Sequence, residues 1–255
     1  MRASRRQLLG AIAGALAGGA SLAPRPASAA PAPGASDLRL AQLRMGGNWN
    51  PRPDTLRRLA WEVGQRTSIE VELEVAAIEP ESKQLFRHPF LYWAGSGAAP
   101  ELSAEAQRLL RRHITYGGTL LVDSAEAEPG GPFDTSVRRT LAQLFPRQSL
   151  ERLPNDHVLY KTFYLVDQTA GRVIRAPYLE ALMLEKRVAV VYSQNDLGGA
   201  WARDAFGRWE HQVSPGGDRQ REMAYRLGVN VVMYALCLDY KEDLVHAPFI
   251  LKRRR

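Results

Sequence analysis

Hydrophobic and polar positions from residue 38 onwards alternate between strand-like and helix-like patterns. Residues 69–75 alternate strictly, which predicts a strand with one solvated face. Residues 90–94 and 119–122 are continuously apolar, a pattern typical of strands buried on both faces. The same reasoning predicts further strands over 38–43 and 187–193, and helices that begin near Asp54 or Thr55, after Ser103, at Thr135 and at Arg219. The last two helices are expected to end at Leu144 and Leu238.

Strands and helices therefore follow each other in succession, which predicts an α/β fold with a mostly parallel sheet and helices on both faces. In such sheets, ligands bind beyond the carboxyl ends of the strands. Three polar features stand at predicted strand ends: the turn Gly95-Ser96-Gly97, Asp123, and the pair Asn195-Asp196. We expect any site to lie there.

Charge is concentrated at the two ends of the chain. Of the 34 Lys and Arg residues, four lie in residues 1–29 and four in 252–255, which leaves 26 against 27 Asp and Glu in between. The net positive charge of the chain thus comes from its two ends and does not indicate a basic binding face, so we expect no nucleic-acid partner. The single cysteine, Cys237, lies in an apolar run and is expected to be a buried, inert thiol.

The first residues carry an export pattern. Ser4-Arg5-Arg6-Gln7-Leu8-Leu9 resembles the twin-arginine signal, a mildly apolar run covers 10–22, and Ala27-Ser28-Ala29 resembles a processing site. The resemblance implies transport of the folded protein by the twin-arginine translocase, cleavage after Ala29, and a periplasmic or otherwise exported location without a stable membrane span. The alternative is a retained membrane anchor.

The chain accordingly divides into four parts. Residues 1–29 are the predicted signal peptide, and residues 30–36 form a Pro/Ala linker. Residues 37–245 are predicted to form a single α/β domain. Residues 246–255 form a basic tail, which is either a solvated terminus or a contact for an anionic surface.

Segments spread over residues 38–240 together resemble a family known as domain of unknown function 4159. The matching segments are 85–92, 117–123, 133–134, 144–146, 156–157, 193–198, Trp201 and 226–234. The resemblance implies a flavodoxin-like, three-layer fold similar to class I glutamine amidotransferase domains, without an established activity. Amidotransferases use a cysteine on a strand-to-helix turn, and this chain has only Cys237, so that chemistry is absent.

Ser96 gives the sharpest enzyme hypothesis. It stands between Gly95 and Gly97 after a buried strand, as a nucleophile elbow requires, and Asp123 and His157 follow in the order of a hydrolase triad. Pro100 argues against a helix that begins directly after the turn. A plain glycine-rich turn is therefore the competing interpretation.

Other polar residues suggest ligand or metal binding. Asp156 and His157 are metal-ligand types, although neighbours on an extended strand point to opposite faces. Asp134 either caps a helix or forms an i,i+4 pair with Arg138, which could also clamp an anion. Asp196 either contributes to a polar site or closes a turn with Gly198-Gly199.

Two tryptophans, Trp201 and Trp209, flank Asp204 and Arg208 after the last predicted strand, an arrangement that suits either saccharide stacking or loop packing.

These observations favour an exported, non-catalytic module that binds a ligand, an envelope protein or a saccharide. The alternative is a hydrolase that uses Ser96 or an Asp/His site on envelope or saccharide substrates. The sequence identifies no cofactor.

Overall fold

The computed structural model describes residues 38–252, with side chains described over 38–237. In this part of the chain one sheet has the order β2-β1-β3-β4-β7-β6-β5. Strands β1, β2, β3, β4 and β7 are parallel, whereas β6 is antiparallel to β7 and β5 to β6. The parallel strands follow the flavodoxin-like order. The strands are β1 (Leu38–Leu43), β2 (Val71–Ile78), β3 (Phe90–Gly95), β4 (Thr119–Ser124), β5 (Glu151–Arg152), β6 (Glu180–Leu184) and β7 (Arg187–Ser193).

Helices cover both faces of the sheet, which confirms the predicted three-layer α/β architecture. The helices are α1 (Thr55–Arg66), α2 (Ala104–Thr115), α3 (Pro132–Leu144), α4 (Leu197–Trp201) and α5 (Gly217–Lys252). Two hydrophobic clusters fill the layers, one around α1, α4 and α5 and the other around α2 and α3. The consecutive residues Tyr92 and Trp93 belong to different clusters, because successive strand side chains point to opposite faces.

Local sequence signals explain several element boundaries. Ser103 caps α2 by accepting a hydrogen bond from the Ala106 N–H group at 3.1 Å. Helix α3 begins at Pro132 and not at Thr135, since proline suits the first helical turn. A Cβ atom at Gly95 would lie 2.1 Å from the Phe133 ring, so the end of β3 needs a glycine to let α3 approach.

Other elements differ from the sequence-based expectation. Strand β2 begins at Val71 and extends to Ile78, and β5 and β6 were not predicted. Helix α5 runs to Lys252, beyond the predicted end at Leu238. The expectation of a buried Cys237 was wrong, because its side chain is exposed. Successive residues of an α-helix are rotated by about 100° around the helix axis. A continuous apolar run such as the one around Cys237 therefore cannot place every side chain against the core.

Residues 1–37, with the predicted signal residues Arg5, Arg6, Ala27 and Ala29 and the linker, lie outside the described part of the chain. The side chains of the basic tail at 246–255 lie outside it as well. Over the residues that are described, no helix is both long enough and apolar enough to cross a membrane.

Candidate functional site

Asp123 lies buried at the carboxyl end of β4, where a site was expected. Its Oδ2 atom accepts hydrogen bonds from the Tyr92 hydroxyl at 2.8 Å and the Gly198 N–H group at 2.7 Å, and its Oδ1 atom accepts one from the Leu197 N–H group at 2.9 Å. Burial, and then the charge of Asp196, raises the pKa of Asp123 to about 7, while the three donors act in the opposite direction. Asp123 therefore joins β3 and β4 to the beginning of α4.

Asp196 follows β7 in the left-handed backbone conformation, with φ at 54°, and its side chain has no exposed surface. Arg52 donates to both carboxylate oxygens, at 3.2 Å and 2.8 Å, and Arg172 donates to Oδ2. The Gly199 N–H group donates to Oδ1 at 2.8 Å, so Asp196 caps α4 and closes the turn that its sequence context suggested. Two guanidinium groups thus compensate one buried charge.

The neighbouring Asn195 holds the loop that carries Arg172. Its Oδ1 atom accepts hydrogen bonds from the N–H groups of Arg175 and Ala176, at 2.8 Å and 2.9 Å, and its Nδ2 atom donates to the Ala176 carbonyl at 2.6 Å. We call Tyr92, Asp123, Asn195, Asp196, Arg52 and Arg172 together the buried polar network.

The buried polar network leaves little space for a substrate. A Cβ atom at Gly198 would already lie 2.9 Å from the Tyr92 hydroxyl oxygen and 3.3 Å from the Asp123 carboxylate. The side chains of Arg52 and Arg172 are 19% and 27% exposed, and both are directed at Asp196. The arrangement can therefore fix α4 and the loop that carries Arg172 in one position, and its carboxylates are occupied in doing so.

The predicted elbow at Ser96 is a turn held against the loop after β1. The Asn48 side-chain amide donates to Ser96 Oγ at 2.6 Å, and the Ser96 N–H group donates to the Asn48 carbonyl at 3.4 Å. Gly97 has φ at 71° and Gly95 makes room for Phe133. No hydrogen bond within the described residues joins Ser96 to an imidazole or a carboxylate.

His157 lies near the amino ends of the parallel strands, whereas Asp123 lies at their carboxyl ends. Its ring is 6.1 Å from the ring of Tyr234, whose hydroxyl oxygen accepts a hydrogen bond from the Val188 N–H group at the amino end of β7. Its Nδ1 atom accepts a hydrogen bond from the Leu159 N–H group at 3.2 Å. Since β4 and β7 are parallel, Asp123 at the carboxyl end is distant from this histidine. The structure does not assemble the triad of Ser96, Asp123 and His157.

Asp134 and Arg138 do form the predicted i,i+4 pair. Arg138 Nε donates to Asp134 Oδ1 at 2.9 Å, and Arg138 Nη2 donates to both oxygens of Glu180, at 3.0 Å and 2.8 Å. Asp134 also accepts a hydrogen bond from the Gly130 N–H group at 2.8 Å. The guanidinium is thus committed to two carboxylates, which joins α3 to β6.

Metal binding was the other suggestion for Asp156 and His157. Asp156 is exposed and His157 half-buried in the loop before Val158. Among the described residues, no three His, Cys, Asp or Glu side chains are grouped so that they could hold a metal ion.

The two tryptophans have different environments. Trp201 is fully buried and packs near Tyr92 and Tyr225, with ring centroids 6.3 Å and 6.4 Å away. Its ring therefore belongs to the core and is not available to a ligand. Trp209 is partly exposed at the base of a hairpin that follows α4.

The hairpin spans residues 203–209. Arg203 and Trp209 form an antiparallel bridge, and the Asp204 N–H group donates to the Arg208 carbonyl at 2.9 Å. Asp204 Oδ1 accepts hydrogen bonds from the N–H groups of Phe206 and Arg208, both at 2.9 Å. Gly207 has φ at 77°, as such a tight reversal needs. These bonds hold Phe206 at the tip, where it is 83% exposed.

Arg221 of α5 anchors the hairpin base. Its guanidinium lies 4.0 Å from the Trp209 ring centroid, and the guanidinium of Arg203 lies 3.6 Å from it. Arg221 also donates to the carbonyls of Ala200 and His211, at 2.6 Å and 2.7 Å. Burial lowers the pKa of Arg221. The hairpin is thus supported both from α4 and from α5.

The sequence did not indicate Arg52, Arg172, Arg203 or Arg221 as parts of these clusters. A buried aspartate at a strand end does require compensating donors. The chain contains many arginines, however, and local patterns do not show which of them reach the strand end.

The family comparison agrees with the segments noted in the sequence. A model of the family described as "domain of unknown function (DUF4159)" matches residues 39–236, which include all seven strands apart from the first residue of β1. The comparison with curated proteins found no match. Because the family model covers most of the chain, this protein belongs to the DUF4159 family.

Proposed function

We propose that this protein is exported by the twin-arginine translocase and acts in the cell envelope as a non-catalytic binding module. The proposed export rests on the arginine pair at Arg5-Arg6, the mild apolar run and the Ala27-Ser28-Ala29 site. The proposed non-catalytic role is supported by the buried polar network, whose carboxylates are bonded to protein groups.

The observation that carries the binding role is Phe206. A large aromatic ring that is 83% exposed gains no hydrophobic free energy from burial unless a partner covers it. Here the ring stands at the tip of a hairpin whose backbone is held by hydrogen bonds to Asp204. Aromatic and arginine side chains held on a rigid frame are typical of the residues that dominate protein interfaces. The hairpin also carries two arginines: Arg208 lies 5.3 Å from the Phe206 ring centroid, and Arg203 lies 3.6 Å from the Trp209 ring centroid at the base.

We also propose that the fold is related to that of class I glutamine amidotransferase domains. The order of the parallel strands supports it. Cys237 lies in α5 and not on a strand-to-helix turn, so the relationship concerns architecture and not chemistry.

The export proposal is tested by replacing Arg5 and Arg6 with lysine in the full chain. We expect the mature protein, with Ala30 at its amino terminus, in the periplasm of wild-type cells, and cytoplasmic retention of the variant. Periplasmic accumulation of the double-lysine variant would contradict the twin-arginine route.

The binding proposal is tested by affinity purification from the native envelope with Phe206→Ser. Tyr116→Ser is a matched control, because Tyr116 is 78% exposed at the end of α2 on the other face of the sheet. We expect specific co-purifying material that Phe206→Ser loses and Tyr116→Ser keeps. Equal losses, or no difference from wild type, would contradict the role of the hairpin.

A further inference from the structure

A cavity of about 310 Å³ lies between the short 3₁₀ helix Lys83–Arg87 and helix α2. Its lining combines charged and apolar side chains: Lys83, Phe86, Arg108, Leu109 and Arg112. We call this space the α2 cavity. Helix α2 packs on one face of the sheet, whereas α4 and α5, which support the hairpin, pack on the other. The α2 cavity is therefore separate from the hairpin.

Both walls of the α2 cavity are anchored to the same hydrophobic cluster. Leu85 of the 3₁₀ helix and Leu109 of α2 are buried in the cluster around α2 and α3. Ser103, which caps α2, also donates a hydrogen bond to Glu81 Oε1 at 2.7 Å, so the start of α2 is joined to the segment before the 3₁₀ helix. Because the walls are held in place by the core, a ligand does not have to order them.

The α2 cavity has an excess of positive charge. Arg108 is paired with Glu105 through two hydrogen bonds, at 2.9 Å from Nε and 2.6 Å from Nη2. Neither the Lys83 ammonium nor the Arg112 guanidinium pairs with a carboxylate of residues 38–237, and Arg112 lies instead 5.4 Å from the Phe86 ring centroid. Three cationic side chains and one carboxylate thus leave two positive charges at the cavity.

Folding alone does not account for this concentration of charge. Arg108 and Arg112 are four residues apart on α2, and like charges at this spacing repel each other along a helix. Lys83 adds a third positive charge from the facing wall. The hydrogen bond from Arg108, and then the charges of Arg108 and Lys83, lower the pKa of Glu105, which stays ionised but neutralises only one of the three cations. An anion in the cavity relieves the repulsion that remains.

The side chains of the α2 cavity suit a phosphate group that is attached to an apolar group. Lysine and arginine are both common phosphate ligands in proteins. A phosphate monoester carries about 1.5 to 2 negative charges at neutral pH, which matches two unpaired cations better than the single charge of a carboxylate does. The Phe86 ring is 43% exposed, so an apolar part of the ligand can pack on it beside the phosphate.

We propose that the α2 cavity binds a phosphate monoester, with the phosphate group between Lys83 and Arg112 and the apolar part on Phe86. A soluble organic phosphate and the headgroup of phosphatidic acid share this chemistry. The proposal adds a second ligand site to the binding role of the hairpin, and neither site depends on the other.

Isothermal titration calorimetry of the full chain with phenyl phosphate, in a phosphate-free buffer, tests the site. We expect saturable binding, which Lys83→Gln and Arg112→Gln each weaken by about tenfold, because each change removes one charge-assisted contact. Arg152→Gln is the matched control and should bind as the wild type does. Arg152 is also an exposed arginine beside an aromatic ring, 4.7 Å from the Tyr178 ring centroid, but it lies on β5 at the far edge of the sheet.

Vesicles of phosphatidylcholine with and without phosphatidic acid distinguish the two sources of the phosphate. Co-sedimentation that requires phosphatidic acid and that Arg112→Gln abolishes would identify a lipid headgroup. Binding of phenyl phosphate without such co-sedimentation would identify a soluble phosphate ester.

Three outcomes would overturn the proposal: no saturable binding of phenyl phosphate or of the vesicles, equal binding of benzoate and phenyl phosphate, or equal effects of Arg112→Gln and Arg152→Gln. Urea unfolding midpoints verify that each variant remains folded. Phe206→Ser should bind phenyl phosphate as the wild type does, so this assay and the envelope purification can fail independently.

Discussion

Replacing Asp196 with asparagine removes one buried charge and leaves the backbone undisturbed. Asparagine tolerates the left-handed conformation that residue 196 adopts, so the variant isolates the loss of charge. Arg52 and Arg172 then face a neutral amide in place of a carboxylate. Arg52 alone loses hydrogen bonds at 3.2 Å and 2.8 Å to an ionised acceptor.

Separating a fully buried ion pair costs about 3–5 kcal/mol, and the partial exposure of both arginines reduces this figure. We therefore expect Asp196→Asn to lower the free energy of unfolding by about 3 kcal/mol. For a domain of this size, the thermal midpoint would fall by about 6–12 °C.

Urea unfolding monitored by circular dichroism and by tryptophan fluorescence measures this loss. Asp204→Asn is the control, because Asp204 forms an i,i+4 pair with the exposed Arg208, so its replacement should lower the free energy of unfolding far less than Asp196→Asn does. Adding Arg52→Gln to Asp196→Asn should cost less than the sum of the two single changes. A loss below about 1 kcal/mol for Asp196→Asn, or strict additivity, would refute the structural role of the buried polar network.

Three further predictions concern stability. Burial lowers the pKa of His113 to about 4 from an ordinary value near 6.5, so its neutral form is favoured in the folded state. The free energy of unfolding that this preference contributes is present above pH 6.5 and falls by up to about 3 kcal/mol as the pH decreases towards 4. His113→Gln should flatten this part of the curve of unfolding free energy against pH. An unchanged slope would contradict the assignment. Gly95→Ala should lower stability by about 1–3 kcal/mol in urea unfolding, because the new methyl group overlaps the Phe133 ring. Gly97→Ala should cost only about 1 kcal/mol, since its site is open and only the positive φ is unfavourable; a larger loss for Gly97→Ala than for Gly95→Ala would contradict the packing analysis.

Strands β3 and β4 were predictable because they are apolar on both faces. Residues 90–94 and 119–122 have few alternatives to a buried strand, and Ser103 gives a local helix signal. Strands β5 and β6 were not predictable in the same way. Strand β5 has only two residues, and β6 gains its order by pairing with β7, a tertiary contact that local patterns do not show.

The sequence predicted where the site lies but not which side chains complete it. Asp123 and Asp196 stand at strand ends, so their neighbourhood followed from the topology of parallel strands. Arg52, the partner of Asp196, is 144 residues from it in sequence, and such a pairing leaves no trace in the spacing of either residue. His157 was grouped with Asp123 because of residue type and chain order. Neither of these specifies at which end of the strands a side chain lies.

The central claim is that the hairpin of residues 203–209 forms the binding face of an exported module. A photoreactive phenylalanine analogue at position 206, compared with the same analogue at position 116, tests it most directly in intact cells. The account predicts a discrete cross-linked product at position 206, absent at position 116, whose linked peptide belongs to an envelope protein. Cross-linking at both positions alike, or at neither, would contradict the claim.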